Sequence, residues 1–351
     1  MLVHKCRHLK WLVAFSLCLG LILLSGFFHV EDNNSIVARR QEELAGAPCR
    51  ARTNVMFLKT HKTASSTVLN LLFRFTERHE LTVALPAQQL LHLGYPSSFL
   101  AHFVEDFQSI GQNYNIMGNH LRFNPSEVRK VMAANTFYFS ILRNPIRLLE
   151  SSYVYYKNVV PAFRASKDVN EYLASPLRYY WRADRQQNIY ARNIMWFDFG
   201  YDNNAEDDGR SRESVQALSP ESEERVKAWC SLDWELYLHF NQSFWRRVEE
   251  AIGLEQLHKE VDELRARQKE LMETCLSEQE AVGKDHIKDK ALLPFQSGAA
   301  NILGYNLRQD LDNRTLRTCQ RMVMPELQYM SQLYSAQHPH KRRKQLRLPL
   351  P

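Results

Sequence analysis

The sequence lacks the patterns that mark a zinc site, a Walker A site or a nucleic-acid-binding surface. Its six cysteines include no CxxC pair, so they form no zinc motif. The stretch that most suits a phosphate, residues 57–72 (FLKTHKTASSTVLNLL), contains no glycine. This excludes a Walker A loop and leaves a kinase as the weaker hypothesis. The net charge of +6 is modest and diffuse, which argues against a nucleic-acid ligand.

The N-terminal part contains one long apolar run. Residues 11–30 include no Asp, Glu, Lys or Arg, and about 20 such residues cross a bilayer as a helix. Basic residues in segment 1–10 precede the run, so we expect a cytoplasmic N-terminus. Polar residues 31–53 are typical of a stem, residues 54–335 form the lumenal domain, and 336–351 form a basic tail. A single-pass type II membrane protein is therefore predicted, and a cleaved signal peptide is the alternative.

Cysteines and glycosylation sequons agree with a secretory compartment. Four cysteines would be lumenal and allow two disulfides in three pairings, which the sequence does not resolve: Cys49, Cys230, Cys275 and Cys319. Buried free thiols are the alternative. Three Asn-x-Ser/Thr sequons begin at Asn33, Asn241 and Asn313.

From residue 54 onward, short apolar runs alternate with helical patterns. Strands are predicted at 55–58, 115–117 and 136–142, the last being the strongest of the three. A helix is predicted over 66–78, and another begins at Pro145 with Asn144 as its N-cap. This alternation predicts an α/β fold with a parallel sheet flanked by helices.

The second half is mostly helical. Residues 229–276 are predicted to form one or two helices, with a near-heptad stripe from Leu257 to Cys275. The stripe predicts a helix packed on the core, and a homodimeric coiled coil is the alternative. A last helix is predicted over 316–334. The polar, acidic segment 202–225 is predicted to be a loop.

The segment from Lys59 to Thr67 joins a buried strand to a helix. The first N–H groups of a helix have no internal partners and carry partial positive charge, so they bind phosphate or sulfate readily. The hydroxyls of Ser65 and Ser66 add donors, and Lys62 adds a full charge. The segment therefore predicts an anion site. The alternative is a strand–helix turn capped by one of the serines, with its lysines in solvent.

A second anion-binding element follows the third predicted strand. Arg143 stands at the strand's end, and Ser151 stands on the second turn of the next helix. Ligands of parallel sheets bind at the carboxyl ends of the strands, so the two elements are expected to meet. Arg143 offers a bidentate grip on a phosphate and Ser151 a hydroxyl.

Together these motifs resemble those of the sulfotransferases. The stretches FLKTHKTASST, NHLRF, FYFSILRNP, FDFGYDN, ILGYNLR and MPELQYM resemble the Golgi galactose-3-O-sulfotransferases in particular, and the likeness runs from about residue 54 to 334. It implies a sulfotransferase fold and 3′-phosphoadenylyl sulfate (PAPS) as co-substrate, without a metal. It also implies a terminal β-galactose glycan as acceptor and location in the Golgi membrane.

The resemblance also assigns roles to residues. Lys62 would neutralise the bridging oxygen as it leaves, and Arg143 with Ser151 would hold the 3′-phosphate. The loop 304–308 would close over the nucleotide. The other predicted donor-binding residues surround the 5′-phosphosulfate: Lys59, Thr63, Ser65, Ser66 and Thr67.

A histidine is expected to accept the proton of the attacking sugar hydroxyl, because its pKa suits neutral pH. His120 follows the second strand and so lies at the same sheet edge, as a catalytic histidine does in related carbohydrate sulfotransferases. We predict His120 as the base. His61 is the rival by position, but its place inside the anion loop suits binding better.

One segment departs from the family. After FDFGYDN, relatives carry a longer segment with an apolar, strand-like run, whereas this chain has the acidic stretch 202–225. We interpret this as a shortened isoform or a lineage-specific deletion. A lost sheet strand could cost more than the marginal stability of a domain, about 5–15 kcal/mol. The alternative function is therefore a non-catalytic, membrane-anchored protein that binds nucleotide or glycan.

Overall fold

The computed structural model describes residues 51–107, 113–180, 185–202, 220–296 and 301–341. The predicted anchor at 11–30 lies outside these ranges, as do most of the stem and the end of the basic tail. Within them, no helix is both long and apolar enough to cross a bilayer.

Three parallel strands, β1 (Val55–Leu58), β2 (Ile116–Met117) and β3 (Phe137–Ser140), form the sheet of the described ranges in the order β2-β1-β3. β1 is central and buried along its whole length, and its Met56 pairs with Met117 on one side and Tyr138 on the other. The predicted parallel α/β architecture is confirmed. β2 and β3 are shorter than predicted.

Helices cover the sheet and build the second half of the described chain. In chain order they are α1 (Ser65–His79), α2 (Pro125–Val131), α3 (Pro145–Tyr156), α4 (Pro161–Arg164), α5 (Val169–Ala174), α6 (Pro176–Tyr180), α7 (Ile194–Asp198), α8 (Pro220–Trp229), α9 (Ser231–Ala251), α10 (Leu254–Cys275), α11 (Asn313–Val323) and α12 (Glu326–Gln337). Short 3₁₀ turns span Ala87–Gln89, Ala101–Phe103, Arg185–Ala191, Lys284–His286 and Lys290–Leu292.

The helix after the anion loop is held by an apolar face. Val68, Leu69, Leu72 and Phe73 are buried against the sheet in one core cluster, as expected for apolar positions three and four apart. This fixes the start of α1 next to the end of β1. At α3 the predicted cap is confirmed, since the Asn144 side chain accepts from the first backbone N–H groups of that helix.

Residues 229–276, predicted to form one or two helices, hold the two helices α9 and α10, because Gly253 between them adopts a φ of 81°, which favours glycine. Two other predictions differ from the structure. The single helix predicted over 316–334 is wrong: the chain is extended at Pro325, which separates α11 from α12. The predicted loop 202–225 is wrong at its end, because α8 begins at residue 220; positions 203–219 lie outside the described ranges.

Two of the expected lumenal cysteines pair, and they join the end of α10 to α11. Cys275 and Cys319 form a disulfide across 44 residues, and Cys230 is buried as a free thiol. The near-heptad stripe packs inside the chain at its start, where Leu257 contacts Val248 of α9. The homodimer stays a prediction.

Candidate donor and acceptor site

The loop between β1 and α1 reaches its sharp turn without glycine. Lys62 and Ala64 adopt positive φ values of 58° and 63°, a conformation uncommon for residues with a side chain. Internal hydrogen bonds hold the turn: the hydroxyls of Thr63 and Ser65 both donate to the Thr60 carbonyl, at 3.1 and 2.7 Å. These two hydroxyls, which were predicted to bind the donor, shape the loop in this structure.

A cavity of about 450 Å³ opens beside the loop. Lys62, Arg143 and Ser151 all line it, so the structure brings the two predicted anion-binding elements together. Arg143 Nη1 donates to the Lys62 carbonyl at 2.9 Å, which ties the strand end to the loop. Asn301 and Ile302, which precede the 304–308 loop, also line the cavity.

The cavity is electropositive because its cations have few counter-charges. Burial, followed by the charges of Arg143 and Lys59, lowers the pKa of Lys62 to about 8. The Lys62 ammonium lies 3.7 Å from the centre of the Tyr155 ring, a cation–π contact that holds the side chain against α3. The negative charge of an anion bound here would favour the protonated form of Lys62.

Lys59 lies on the other side of the loop, in a separate cluster. Its side chain is 2% exposed, and its ammonium contacts Nε2 of His120 at 2.9 Å and both oxygens of Glu326 at 3.0 Å. Ser66 donates to the same carboxylate at 2.6 Å. The two lysines of the loop are therefore divided, since Lys62 faces the cavity and Lys59 faces the histidine and the carboxylate.

His120 is held at both ring nitrogens. The Lys59 carbonyl lies 2.9 Å from Nδ1, so Nδ1 carries the proton and Nε2 accepts from the Lys59 ammonium. Burial, followed by the charges of His61, Lys59 and His92, holds the pKa of His120 well below its usual value. The imidazole is therefore neutral at physiological pH, as a general base must be.

His61 is oriented by a buried carboxylate. Its Nδ1 lies 3.0 Å from both oxygens of Asp198, and its backbone N–H donates to the same group at 2.9 Å. Asp198 is the last residue of α7 and is fully buried. A carboxylate that accepts from Nδ1–H leaves the lone pair on Nε2, which is how hydrolytic triads orient a base. Tyr95 and Tyr190 pack on the same ring.

The remaining residues predicted to bind the donor lie in different surroundings. Thr67 is exposed at the start of α1, and Ser66 contacts Glu326. The sequence-based assignment missed Glu326 and Asp198 as site residues, although both stand within the stretches that resemble the family. Glu326 follows a proline, a signal that a new helix starts there; nothing in the local pattern pointed Asp198 toward His61.

A parallel sheet with a basic loop and an Arg–Ser pair at its strand ends is the arrangement expected of a group-transfer enzyme with a phosphate-bearing donor. The chain belongs to the galactose-3-O-sulfotransferase family, whose sequence model matches residues 1–211 and 205–337. The resemblance inferred from the motifs is confirmed.

Curated relatives cover nearly the whole chain. Galactose-3-O-sulfotransferase 2 of Mus musculus is 45% identical over 95% of this chain and 96% of its own length. The Homo sapiens protein of that name is 46% identical over 95% of each. Galactosylceramide sulfotransferase of Homo sapiens is 36% identical over 81% of this chain and 79% of its own. No solved structure matches the chain significantly.

The same comparisons bear on the shortened segment. The alignment with the mouse relative spans 387 positions, which exceeds the 351 residues of this chain by 36, so at least that many positions have no counterpart here. The two family matches meet at 205–211, inside the predicted departure at 202–225. Both the loop and the Arg143–Ser151 pair lie outside that segment.

Proposed function

We propose that the chain transfers sulfate from PAPS to the 3-hydroxyl of terminal β-galactose on a glycan. The observation that carries the proposal is the convergence of Lys62, Arg143 and Ser151 on one cavity, in a chain of this family. Two separate anion grips suit a nucleotide with phosphates at both ends. Relatives named for galactose and for galactosylceramide support a galactose acceptor.

The donor supplies an activated sulfuryl group. The galactose 3-hydroxyl oxygen forms a bond to sulfur, the bond from sulfur to the phosphate oxygen breaks, and adenosine 3′,5′-bisphosphate leaves. Lys62 neutralises the leaving oxygen, and the free N–H groups at the start of α1 hold its phosphate. Arg143 and Ser151 hold the 3′-phosphate. As in phosphoryl transfer, positioning and charge stabilisation supply most of the catalysis.

The proton of the sugar hydroxyl passes to a histidine. We propose His120 as this base, since its ring is neutral and lies beside the loop. Its Nε2 is covered by the Lys59 ammonium, which the sugar hydroxyl must displace. The His61–Asp198 pair is the second candidate, because its geometry leaves Nε2 free of Asp198.

The proposal is tested by radioactive sulfate transfer from PAPS to a β-galactosyl disaccharide, catalysed by the purified full-length chain. Arg143→Ala is expected to weaken donor binding and transfer about 100-fold or more, because the guanidinium proposed to hold the 3′-phosphate is lost. The matched control is Arg147→Ala. It removes a guanidinium from the same cavity wall, but this guanidinium is exposed and paired with Glu150. An Arg143→Ala enzyme with full transfer would contradict the assigned site.

Donor binding separates the competing functions. The chain is expected to be retained on immobilised PAPS. Adenosine 3′,5′-bisphosphate should displace it, whereas ATP should not, and this result would exclude a kinase. A chain that binds donor but transfers no sulfate would be the non-catalytic alternative. That alternative is less favoured here, because the shortened segment leaves both anion grips and both histidines in place.

We further propose that residues 11–30 anchor the protein in the Golgi membrane with its catalytic part in the lumen. The proposal rests on the basic residues before this apolar run and on the cysteine and sequon content. Protease protection in intact Golgi vesicles tests it. Protection of the C-terminal part is expected, and cleavage without detergent would contradict the type II orientation.

A further inference from the structure

Glu326 links the anion loop, residues 59–67, to the helix α12. It is the first residue of α12 and lies 267 positions from Lys59 in sequence. Its carboxylate takes two contacts from the Lys59 ammonium and one from the Ser66 hydroxyl. Burial opposes ionisation of Glu326, but the charge of Lys59 and these hydrogen bonds hold its pKa below the usual value.

We propose that Glu326 is a positioning residue for the transfer reaction, one that acts through Lys59 on His120. The inference rests on the proposed function and adds a role outside the donor cavity. The carboxylate holds the Lys59 ammonium at Nε2 of His120, while the Lys59 carbonyl holds the proton on Nδ1. One lysine thus fixes both nitrogens of the imidazole, and Glu326 fixes the lysine.

The carboxylate also keeps the two lysines of the loop in separate roles. Lys59 is close enough to lower the pKa of Lys62, and a buried ammonium without a partner is costly. Without Glu326, Lys59 would be drawn toward the donor phosphates beside Lys62. With Glu326 it stays in the histidine cluster. When the sugar hydroxyl takes its place at Nε2, the ammonium keeps two carboxylate oxygens as partners.

The test compares Glu326→Gln with Glu77→Gln in the full-length chain. Glu77 is a matched control because its carboxylate also links α1 to the C-terminal helices, through Arg321 and Tyr329, but lies outside the histidine cluster. Glu326→Gln is expected to lower kcat about 10- to 100-fold, while the Kd of adenosine 3′,5′-bisphosphate changes less than about threefold. Glu77→Gln is expected to leave kcat within about twofold. Glu326→Asp is expected to recover part of the lost kcat.

Nitrogen NMR of His120 supplies a readout that does not require activity. In the unsubstituted chain we expect a neutral ring with its proton on Nδ1 through neutral pH. In Glu326→Gln we expect the proton to stay on Nδ1, where the Lys59 carbonyl still accepts it, but the Nε2 signal to shift and the pKa of His120 to rise, because the ammonium is no longer held at Nε2. Unchanged His120 signals, or equal losses of kcat in Glu326→Gln and Glu77→Gln, would overturn the inference. An inactive unsubstituted chain would overturn the proposed function, and the NMR comparison would still decide the role of Glu326.

Discussion

The imidazole rings of His61 and His120 lie parallel, with their centroids 3.9 Å apart and their planes 9° from each other. Two stacked imidazoles cannot both be protonated without strong repulsion, and the charge of His61 is one cause of the low pKa of His120. The pair therefore offers at most one acceptor for a proton at a time. Each ring has its own orienting group, Lys59 for His120 and Asp198 for His61.

His120→Ala is expected to lower kcat about 10²- to 10⁴-fold, the usual contribution of a positioned base. Donor affinity should change little, because His120 does not line the donor cavity. Single-turnover sulfate transfer at saturating PAPS measures the effect. A fully active variant would move the base role to His61. In that case Asp198→Asn would show the loss instead, since the amide no longer fixes the His61 tautomer.

Lys62 sets an alkaline limit on donor use. With a pKa of about 8, its ammonium is lost as the pH rises, so kcat/KM for PAPS is expected to fall above about pH 8. In the donor complex the added negative charge raises the pKa of Lys62, so kcat is expected to fall only at a higher pH than kcat/KM does. Lys62→Arg is expected to remove the limb near pH 8 while keeping measurable transfer, because arginine stays charged. Lys62→Ala is expected to lose about 10²- to 10³-fold in kcat. Pre-steady-state rates across pH 6.5–9.5 check both, and an unchanged limb in Lys62→Arg would contradict the assignment.

Asp233 links stability to pH through the helix that carries Asp198. Its buried carboxylate accepts from the backbone N–H groups of Met195 and Trp196 at the start of α7. Burial, only partly offset by these bonds, raises its pKa from 3.8 to about 7. Between these values the folded chain binds a proton that the unfolded chain has released, so the free energy of unfolding falls as the pH rises from about 4 to 7.

Asp233→Asn is expected to flatten this dependence, by up to about 4 kcal/mol across the window. Urea unfolding at pH 4.5 and 7.5 measures the difference. Asp312→Asn is the control, because hydrogen bonds from Thr315 and Arg314 lower the pKa of this exposed N-cap, so it stays ionised between pH 4.5 and 7.5 and its loss should leave the slope unchanged. An Asp233→Asn chain that kept the full slope would show that other groups carry it.

The disulfide is expected to support the donor cavity as well as stability. Its loop of 44 residues includes Asn301 and Ile302, which line the cavity. Cys275→Ala with Cys319→Ala should lower the free energy of unfolding by about 2–4 kcal/mol and weaken donor binding. Thermal unfolding and donor titration, with and without reductant, test this. In Cys230→Ala the stability should still fall when reductant is added, since the Cys230 thiol is free. A Cys230→Ala chain whose stability did not depend on reductant would contradict the pairing of Cys275 with Cys319.

The elements around the candidate donor cavity were largely predictable, because their signals are local. The apolar run at 55–58, the amphipathic pattern of α1 and the Asn144-Pro145 pair each specify a structure within a few residues. The strand ends at 116 and 140 depend on pairing with β1, which the local sequence does not encode.

The histidine cluster could not be predicted to the same extent. Asp198 and Glu326 reach the loop across 137 and 267 positions, and only the packing of the chain brings them there. Pro325 is a local signal for a helix break, since proline disfavours a continuous helix. The apolar residues on both sides of it fit one continuous helix, so the sequence pattern did not predict that Glu326 begins α12.

The helix that carries Glu326 also closes the core over the sheet. Tyr329, Met330, Leu333 and Tyr334 of α12 are buried in the same cluster as the apolar residues of β1 and α1. Glu326 at the start of this helix contacts Lys59 of the loop. Docking of α12 therefore buries one face of the sheet and completes the contacts of the histidine cluster in a single step, so the cluster forms only in a chain whose core is closed.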